Sequence, residues 1–406
     1  MGRKGQKGRA AKAPVVKPRL LWVGDAGCYT GFAEVTRNVL TNLLPVWDVA
    51  ALAINYFGDP HTEPFPLYPA SLGGDVFGVN RLDQVIQKFK PDAVGVLNDP
   101  WIAKDYLPVL NKYSNLVRFV YTPIDSPHVA PGFAQALNDY DAVISYTEFG
   151  ALELNKSGTT TRMFIAPHGI DTKKFYPVQG ARKKLGIPED WFIVGFVGRN
   201  QPRKRIDLAM RAFADFIRDK TDEEKSKIKF YYHGNTHDIG WNIVDMAAAF
   251  GIVDNIALTS DTNVVVPQET LNLIYNSFNV MLSTTMGEGW GLCNMEAAAC
   301  GVAQIVPAWS ALQEWLIMGS IQVPCPDIMV NTGGINTFGG IVSHEGVVEA
   351  LHTLYENPSM RIKLGIEARE LVTSPLYDWR NIAQQFDGII REVARDKLSS
   401  NQEANS

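Results

Sequence analysis

The segment FIVGFVGRNQPRKRIDLAMRAFADFIR, residues 192–218, carries the pattern that decides the fold. It starts with a short, almost wholly apolar run, Phe192–Val197, of the kind found in strands that are buried on both faces of a sheet. A glycine and four basic residues lie in the loop that follows, and the stretch Asp207–Arg218 then has the apolar spacing of a helix. Strand, polar loop and amphipathic helix together form the repeating unit of a parallel α/β sheet.

The same unit recurs on both sides of this segment. Before it, apolar runs of the buried-strand type occur at Leu20–Val23, Val49–Ile54, Ala93–Leu97, Val117–Tyr121, Ala142–Ser145 and Met163–Ala166. After it, they occur at Ile228–Tyr232, Ile256–Thr259, Val280–Leu282 and Gln304–Val306. Helix-like stretches, among them Glu148–Lys156, separate these runs, so we predict an α/β fold of two Rossmann-like, doubly wound parallel-sheet domains.

We place a basic tail at 1–19, a first domain at 20–175, a second domain at 176–376 and a closing helix at 377–397. The hinge falls within 171–188, and the segment 324–340, rich in glycine, asparagine and proline, is predicted to be an inserted loop. Ligands bind at the carboxyl ends of parallel strands, so two such sheets edge to edge would enclose one cleft for two substrates.

Charge is unevenly distributed along the chain. The chain has 406 residues and a net charge of -5, and seven of its 38 basic residues fall within residues 1–19, which contain no acidic residue. This tail is predicted to be disordered and either to contact nucleic acid or an anionic membrane surface, or to have no specific partner. The polar end, residues 398–406, is also predicted to be disordered.

No apolar run is long enough to span a bilayer, and the start lacks the apolar region of a signal peptide, so we expect a cytoplasmic protein. The four cysteines are scattered without CxxC spacing, which indicates free thiols and no zinc site.

A second segment, STTMGEGWGLCNMEAAACGVAQIVPAWSALQE at residues 283–314, holds the densest set of candidate ligand-binding groups. A glycine-rich turn after a strand allows close backbone approach, and the helix start beyond it offers free N–H groups. Glu288 in the turn and Glu296 in the helix could bind hydroxyl groups at two points of one ligand. Spacing alone favours a tight strand-to-helix turn with two surface acids.

The basic loop after Phe192–Val197 is the second candidate. Arg199 and Lys204 lie between a strand end and a helix start, where guanidinium hydrogen bonds and the helix dipole both favour a diphosphate. A basic loop taken alone is more often a solvated surface.

Together these motifs resemble those of retaining glycosyltransferases with the GT-B fold. Glu288-Gly-Trp-Gly-Leu292, Met295-Glu-Ala-Ala-Ala-Cys-Gly301 and the late Glu314 resemble the E-x7-E signature, and the loop Gly198–Asp207 resembles GR-x4-K-G-x-D. The resemblance runs from about Leu20 to Val393 and implies that the closing helix crosses back onto the first domain. Trp290, Ala303 and Arg205 stand where the family usually has Phe, Pro and Gly. Because Arg205 replaces a glycine, the family's conformation of the loop Gly198–Asp207 does not carry over directly to this chain.

The resemblance assigns roles to individual residues. Glu296 would bind ribose, Glu288 and the backbone of Gly289, Trp290, Gly291 and Leu292 would meet the donor sugar and phosphate, and Arg199 with Lys204 would neutralise the leaving diphosphate.

Weaker resemblances add further candidates. Gly31 and Phe32, in the first glycine-rich loop, would border the donor phosphates and the acceptor. Asp125, or alternatively His128, would lie near the reacting sugar, although either could instead cap a loop.

Two more segments resemble the family in place. The stretch Ile165–Pro177 resembles the family's interdomain junction, with His168 in place of the common asparagine. Donor-base contacts are expected from His233, Gly234 and Asn235 and from the loop Thr262–Val266.

The implied function is transfer of a sugar from a UDP-, GDP- or ADP-sugar to an acceptor hydroxyl with retention of anomeric configuration. The resemblance implies no cofactor, no metal and no dedicated protein base. The acceptor is open: saccharide, lipid, protein, small molecule or, as in some viral enzymes of this fold, modified nucleic acid. An epimerase, a pyridoxal-phosphate-dependent phosphorylase and a non-catalytic nucleotide-sugar-binding protein of the same fold are the alternatives.

Overall fold

The computed structural model describes residues 16–71, 74–259, 265–332 and 334–404, with side chains described as far as residue 399. All but the last four residues of the predicted basic tail lie outside this part of the chain. The described residues form two parallel sheets with helices around them and a small antiparallel hairpin. The prediction of an α/β fold with two doubly wound sheets is confirmed.

The first sheet has seven parallel strands in the order β3-β2-β1-β4-β5-β6-β7. Its strands are β1 (Arg19–Asp25), β2 (Asp48–Ile54), β3 (Leu67–Pro69), β4 (Ala93–Leu97), β5 (Val117–Thr122), β6 (Ala142–Ser145) and β7 (Met163–Ile165). The helices of this half are α1 (Gly31–Leu43), α2 (Val79–Phe89), α3 (Pro100–Ala103), α4 (Leu107–Leu110), α5 (Pro131–Ala136) and α6 (Glu148–Lys156).

The second sheet has six parallel strands in the order β10-β9-β8-β11-β12-β13. Its strands are β8 (Phe192–Val197), β9 (Ile228–His233), β10 (Ile256–Leu258), β11 (Val280–Leu282), β12 (Ala303–Pro307) and β13 (Ser320–Val323). The helices around it are α7 (Ala181–Leu185), α8 (Ile206–Phe216), α9 (Asp222–Lys227), α10 (Ile243–Ala249), α11 (Gln268–Ser277), α12 (Leu292–Ala299), α13 (Ser310–Trp315), α14 (His344–Glu356) and α15 (Pro358–Val372).

Strand β1 shows why these apolar runs fold as central strands. Successive side chains point to opposite faces of a sheet. Leu20 and Trp22 belong to one apolar cluster, and Leu21 and Val23 belong to another on the opposite face. All four are fully buried, so the strand has no solvent-facing side and needs no polar residue until Asp25.

Two predictions about the last third of the chain need correction. The segment 324–340 is not only a loop: it contains a strand, β14 (Asp327–Val330), that pairs in antiparallel register with β15 (Phe338–Ile341). The polar end of the chain continues the last helix, α16 (Trp379–Ala404), beyond residue 398. Its residues include good helix formers and contain neither glycine nor proline beyond Gly388, so the helix has no reason to stop where the apolar face ends.

Helix α16 returns to the first domain, as the family resemblance implies. It packs against α1 and β5. The indole N–H of Trp47 donates to Asp387 over 2.7 Å, and the ring of Phe386 lies 5.9 Å from that of Trp22. A single bridge between Ile170 and Asp378 marks the crossing point. These contacts tie the end of the chain to the domain in which it began.

Candidate functional site

The candidate site lies where loops from both sheets meet. Strand order reverses between β1 and β4 in the first sheet, and between β8 and β11 in the second. The loops at such a reversal diverge to opposite faces of the sheet and leave a crevice, which is where doubly wound sheets bind ligands. The four loops that follow these strands supply most of the groups described below.

The loop after β8 is held against the loop after β11. The hydroxyl of Thr284 donates to the carbonyl of Arg205 over 2.7 Å, and the N–H of Met286 donates to the carbonyl of Arg203 over 2.9 Å. A turn of 3-10 helix over Pro202–Lys204 lies beside these contacts. The cations of one loop are therefore brought to the carboxylates of the other.

Glu288 is buried and paired with two cations. Its Oε1 accepts a hydrogen bond from Nζ of Lys204, and its Oε2 lies 3.2 Å from Nη1 of Arg203. Its backbone N–H donates to the hydroxyl of Ser310 over 3.0 Å. Burial by itself would raise the pKa of the Glu288 carboxyl, but the charges of Lys204 and Arg203 lower it to about 2. Two of the predicted site residues, Lys204 and Glu288, are thus in direct contact.

Arg203 was not assigned a role from the sequence, yet it lies at the centre of the site. Its Nε is 3.3 Å from the carboxylate of Asp125, which belongs to the first domain, and its Nη1 also donates to the carbonyl of Gly287. Burial raises the pKa of Asp125, and the charge of Arg203 opposes that rise. The place of Arg203 beside Lys204 in the motif was the sequence feature that could have identified it as a site residue. The motif does not show in which direction the Arg203 side chain points.

The glycines of the turn after β11 permit this close meeting of domains. A Cβ on Gly287 would lie 2.1 Å from the carbonyl oxygen of Asp125, and one on Gly289 would lie 2.6 Å from Cβ of Pro123. Neither position has room for a side chain. The N–H of Gly289 also hydrogen-bonds to the Asp125 carboxylate.

Glu296 lies on α12 with a tyrosine as its hydrogen-bond donor. The hydroxyl of Tyr275 donates to Oε2 of Glu296 over 2.6 Å. Burial raises the pKa of the Glu296 carboxyl to about 7, although the Tyr275 hydrogen bond acts to lower it. Cys293, one turn earlier, feels the charges of both Glu296 and Lys204. Helix α12 begins at Leu292, four residues after Glu288, so Glu296 follows the Lys204–Glu288 pair closely along the chain.

Arg199 does not join this cluster. Its side chain is 61% exposed and pairs with Asp238, with Nε 2.7 Å from the carboxylate. The structure therefore separates the Arg199 side chain from those of Glu288 and Lys204, although Arg199 shares its loop with Lys204 and the loop of Glu288 is adjacent. Its role at a diphosphate stays a prediction.

Trp290 and Leu292 contribute to the site in different ways. The Trp290 ring is buried and stacks on that of Trp315, with ring centres 5.1 Å apart and planes at 9°, so only its backbone can face a ligand. Gly291 has φ of 96°, which begins helix α12 in the left-handed region that favours glycine. A Cβ on Gly31 would lie 3.2 Å from Cδ1 of Leu292, so the first glycine-rich loop adjoins this helix start.

The first glycine-rich loop opens helix α1. The hydroxyl of Thr30 accepts from the N–H of Ala33 over 3.1 Å and donates to Asp25 over 2.5 Å. Gly31, the first residue of the helix, is exposed, whereas Phe32 packs against the apolar cluster between the domains. Gly31 is thus available to a ligand through its backbone, and Phe32 serves mainly as packing.

The predicted base-contacting segment is partly described. Nδ1 of His233 lies 2.9 Å from the hydroxyl of Thr259, and burial lowers the pKa of His233. A Cβ on Gly234 would lie 2.3 Å from the carbonyl oxygen of Gly198, so the ends of β8 and β9 touch there. Residues 262–264 of the predicted loop Thr262–Val266 lie outside the described residues.

His128 contacts the second domain and not the cluster around Asp125. Its ring stacks on Phe338 of the hairpin, with ring centres 4.4 Å apart and planes at 4°. Its φ of 67° is unusual for a residue with a side chain. The N–H of Phe338 donates to the carbonyl of Pro127 over 2.9 Å. Of the two residues proposed near the reacting sugar, Asp125 alone contacts the charged cluster.

The interdomain junction holds two further motif residues. The ring of His168 is buried 4.2 Å from that of Tyr146 and 5.5 Å from that of Trp290, and burial lowers its pKa to about 3. Glu314 accepts hydrogen bonds from the N–H groups of Glu148 and Phe149, at 3.0 and 2.7 Å, and so caps helix α6 of the other domain.

Sequence reasoning also missed Asp99. It directly follows Asn98 at the end of β4, at the strand reversal, and it is partly exposed. Burial and the charge of Asp125 raise the pKa of Asp99 to about 7, while Arg203 acts to lower it. Its position after a strand at the reversal point was the signal that could have found it.

Within the described ranges, no group of three or more histidine, cysteine or carboxylate side chains could hold a metal ion. Nor does any helix of that part of the chain have the length and apolar character needed to cross a membrane.

Part of the chain matches a known protein family and a curated relative. The family described as "Glycosyl transferases group 1" matches residues 178–370. A D-inositol 3-phosphate glycosyltransferase from Salinispora arenicola (strain CNS-205) is 27% identical over 198 residues, which cover 45% of this chain and 42% of that protein. The chain therefore spans less than half the length of this curated relative.

Solved structures match over nearly the whole chain. Sucrose-phosphate synthase from Thermosynechococcus elongatus has a TM-score of 0.75 at 19% identity, over 93% of this chain and 99% of the other. Anabaena Alr3699/HepE, solved in complex with UDP and glucose, has a TM-score of 0.68 at 13% identity, over 92% and 100%. The chain has the GT-B fold, and its residues 178–370 match the group 1 glycosyl transferases.

Proposed function

We propose that this protein transfers a sugar from a nucleotide diphosphate sugar to an acceptor hydroxyl with retention of anomeric configuration. The observation that carries the proposal is the charged cluster in the cleft, in which Lys204 and Arg203 of one loop pair with Glu288 of another and Arg203 reaches Asp125 of the first domain. The family and the glycosyltransferase relatives support the reaction class.

The donor diphosphate binds beside Lys204. A diphosphate carries more negative charge than a single carboxylate, so it competes with Glu288 for the Lys204 ammonium. When Lys204 binds the diphosphate in place of Glu288, one Glu288 oxygen becomes free to accept hydrogen bonds from sugar hydroxyls. Arg199, at the mouth of the cleft, supplies a second cation when the diphosphate replaces Asp238.

The nucleoside end binds towards Glu296. Its carboxylate accepts hydrogen bonds from the ribose hydroxyls, and the Tyr275 hydroxyl orients it. Helix α12, which carries Glu296, starts directly after the glycine turn that carries Glu288, so the ribose and diphosphate ends of the donor would bind to adjoining parts of the chain. A structure of the same fold that contains UDP and glucose supports this type of donor.

Transfer breaks the bond between the anomeric carbon and the diphosphate oxygen. Positive charge develops on the sugar and negative charge on the leaving group, which Lys204 and the N–H groups of the glycine turn stabilise. The acceptor oxygen attacks from the face that the diphosphate leaves, so configuration is retained. The acceptor proton passes to an oxygen of the departing diphosphate, and no protein base is required.

The test incubates the full chain with UDP-glucose, GDP-mannose or ADP-glucose and follows release of the nucleoside diphosphate and the anomeric signals by NMR. We expect one donor to be cleaved and its sugar to appear first with the donor's α configuration. A β product from an α donor would contradict retention, and no cleavage of any nucleotide sugar would contradict the proposed function.

A further inference from the structure

The edge of the first sheet that faces the cleft carries carboxylates on three neighbouring strands. Asp25 ends β1, Asp99 follows β4 and Asp125 follows β5. Strands β1, β4 and β5 are adjacent, and the register Leu97↔Tyr121 brings the ends of β4 and β5 level. This edge of the first sheet therefore carries three carboxylates, one of which, Asp125, is paired with Arg203.

Two buried hydroxyls at the same edge lack a partner. Tyr146 follows β6, which pairs with β5 through Thr122↔Ser145, and it is 2% exposed. Neither the hydroxyl of Tyr146 nor that of Thr122 has a hydrogen-bond partner among the described residues. Buried polar groups are seldom left unpaired, so such hydroxyls suit a site completed by a ligand.

Tyr146 is close to the carboxylates. Its hydroxyl feels the charges of both Asp99 and Asp125. In the part of the chain that the structure describes, the Asp99 side chain has no hydrogen bond, and the charges that act on it are those of Asp125 and Arg203. Arg203 is already shared between Asp125 and Glu288, so the Asp99 carboxylate is free to accept a hydrogen bond from a hydroxyl.

We propose that Asp99 and the Tyr146 hydroxyl bind the hydroxyl groups of the acceptor, and that this acceptor is an uncharged polyol such as a sugar. The inference rests on the proposed function and specifies its substrate class. Among the described residues, Asp125 is paired with Arg203, whereas Asp25 and Asp99 have no cationic partner within ion-pair distance. A phosphate group beside the reacting hydroxyl would be repelled by Asp25 and by the ionised form of Asp99, which gains weight above its pKa of about 7. The partly exposed ring of Trp101, two residues after Asp99, offers an apolar face for the C–H groups of a sugar.

The experiment first measures slow hydrolysis of UDP-glucose, or whichever of the three donors is cleaved, without an acceptor. It then compares matched acceptors: myo-inositol with D-inositol 3-phosphate, glucose with glucose 6-phosphate, and fructose with fructose 6-phosphate. We expect kcat/KM for the better uncharged member to exceed that of its phosphorylated partner by on the order of tenfold to hundredfold.

The variants Asp99→Asn and Tyr146→Phe test the assigned residues. Each should raise KM for the uncharged acceptor about tenfold, an effect of the size of one lost hydrogen bond to a charged group, and this change should exceed any change in the rate of donor hydrolysis. Asp105→Asn, six residues further on at an exposed ion pair with Lys104, is the matched control and should leave KM unchanged.

The outcomes separate the two proposals. Donor cleavage with preference for the phosphorylated member of each pair, or an unaltered KM in both variants, would overturn this inference alone. Absence of donor cleavage would overturn the proposed function and this inference with it.

Discussion

The guanidinium of Arg203 lies 3.3 Å from the carboxylate of Asp125 and so joins the two domains across the cleft. The same guanidinium lies 3.2 Å from Glu288. Two carboxylates from different domains thus share one cation, and a third, Asp99, feels its charge. The position of one domain relative to the other therefore affects the electrostatics of the site directly.

Arg203→Met should destabilise the protein by about 1–3 kcal/mol, because it leaves partly buried carboxylates without a shared cation. Arg199→Met removes an equally charged residue that is itself 61% exposed, and it should cost only about 0–1 kcal/mol. Urea unfolding of both variants at neutral pH measures the difference. Equal losses in the two variants would show that Arg203 does not hold the domains together.

Lys204→Ala should lower the rate of sugar transfer by on the order of 10²–10³-fold, because it removes a preorganised cation at the leaving group. The variant should keep its circular dichroism spectrum, since Glu288 retains Arg203 as a partner. Arg211→Ala, an exposed arginine on α8, serves as the control and should transfer at the normal rate. A Lys204→Ala enzyme that turns over normally would remove the proposed role.

Glu296 should make nucleotide binding pH-dependent. Its pKa of about 7 means that the carboxyl loses its proton between pH 6 and 8, and ribose hydroxyls donate best to the carboxylate. UDP affinity should therefore rise by up to about tenfold per pH unit below this pKa, and it should level off above it. Calorimetry of Glu296→Gln separates this from titration of UDP itself: the variant should lose the part of the slope that belongs to Glu296.

His168 should make the folded state sensitive to acid. The pKa of His168 is about 3 in the folded protein, below the ordinary value of about 6.5 expected after unfolding. Between these values the unfolded chain binds the extra proton, so stability falls as the pH falls. From pH 6.5 to 5 the loss from this one group is about 2 kcal/mol.

The variant His168→Phe keeps an aromatic ring at this position and cannot bind a proton. Its free energy of unfolding, measured at several pH values, should decline less steeply below pH 6.5 than that of the unaltered protein. Identical slopes would mean that His168 becomes protonated without unfolding.

Glu314→Ala should loosen the contact between the domains at helix α6. Its carboxylate satisfies two N–H groups of the first turn, and loss of such a cap costs about 0.5–1 kcal/mol at an exposed site. The neighbouring Gln313→Ala, also exposed, is the control. Thermal unfolding should distinguish the variants, and a Tm equal to that of the control would exclude a stabilising role.

The sequence predicted the elements that depend on local pattern. Eleven of the thirteen strands of the two sheets follow from short apolar runs, because a strand buried on both faces requires a continuous row of apolar side chains. The edge strands β3 and β13 were not predicted, since most of their side chains are only half-buried. Helix α6 was predicted at its observed bounds, Glu148–Lys156. The hairpin β14–β15 was not, since its first strand is wholly exposed and its glycines and asparagines suit a loop equally well.

The family resemblance assigned Lys204 and Glu288 to one donor site, and the structure brings them into contact because their loops follow the neighbouring strands β8 and β11. The sequence did not predict the partners of Arg199 and Arg203. Both are arginines of the same loop, and only the path of the 3-10 turn directs Arg203 inwards and leaves Arg199 facing Asp238.

By itself, therefore, the sequence determined the two parallel sheets, the order of their elements and the loops that reach the cleft, since hydrophobic periodicity and glycine positions act over a few residues. Tertiary structure alone decided which charges meet. Asp125 and Arg203 are 78 positions apart in the chain, and their pairing depends on how two separately folded sheets are placed against each other, which no local pattern encodes.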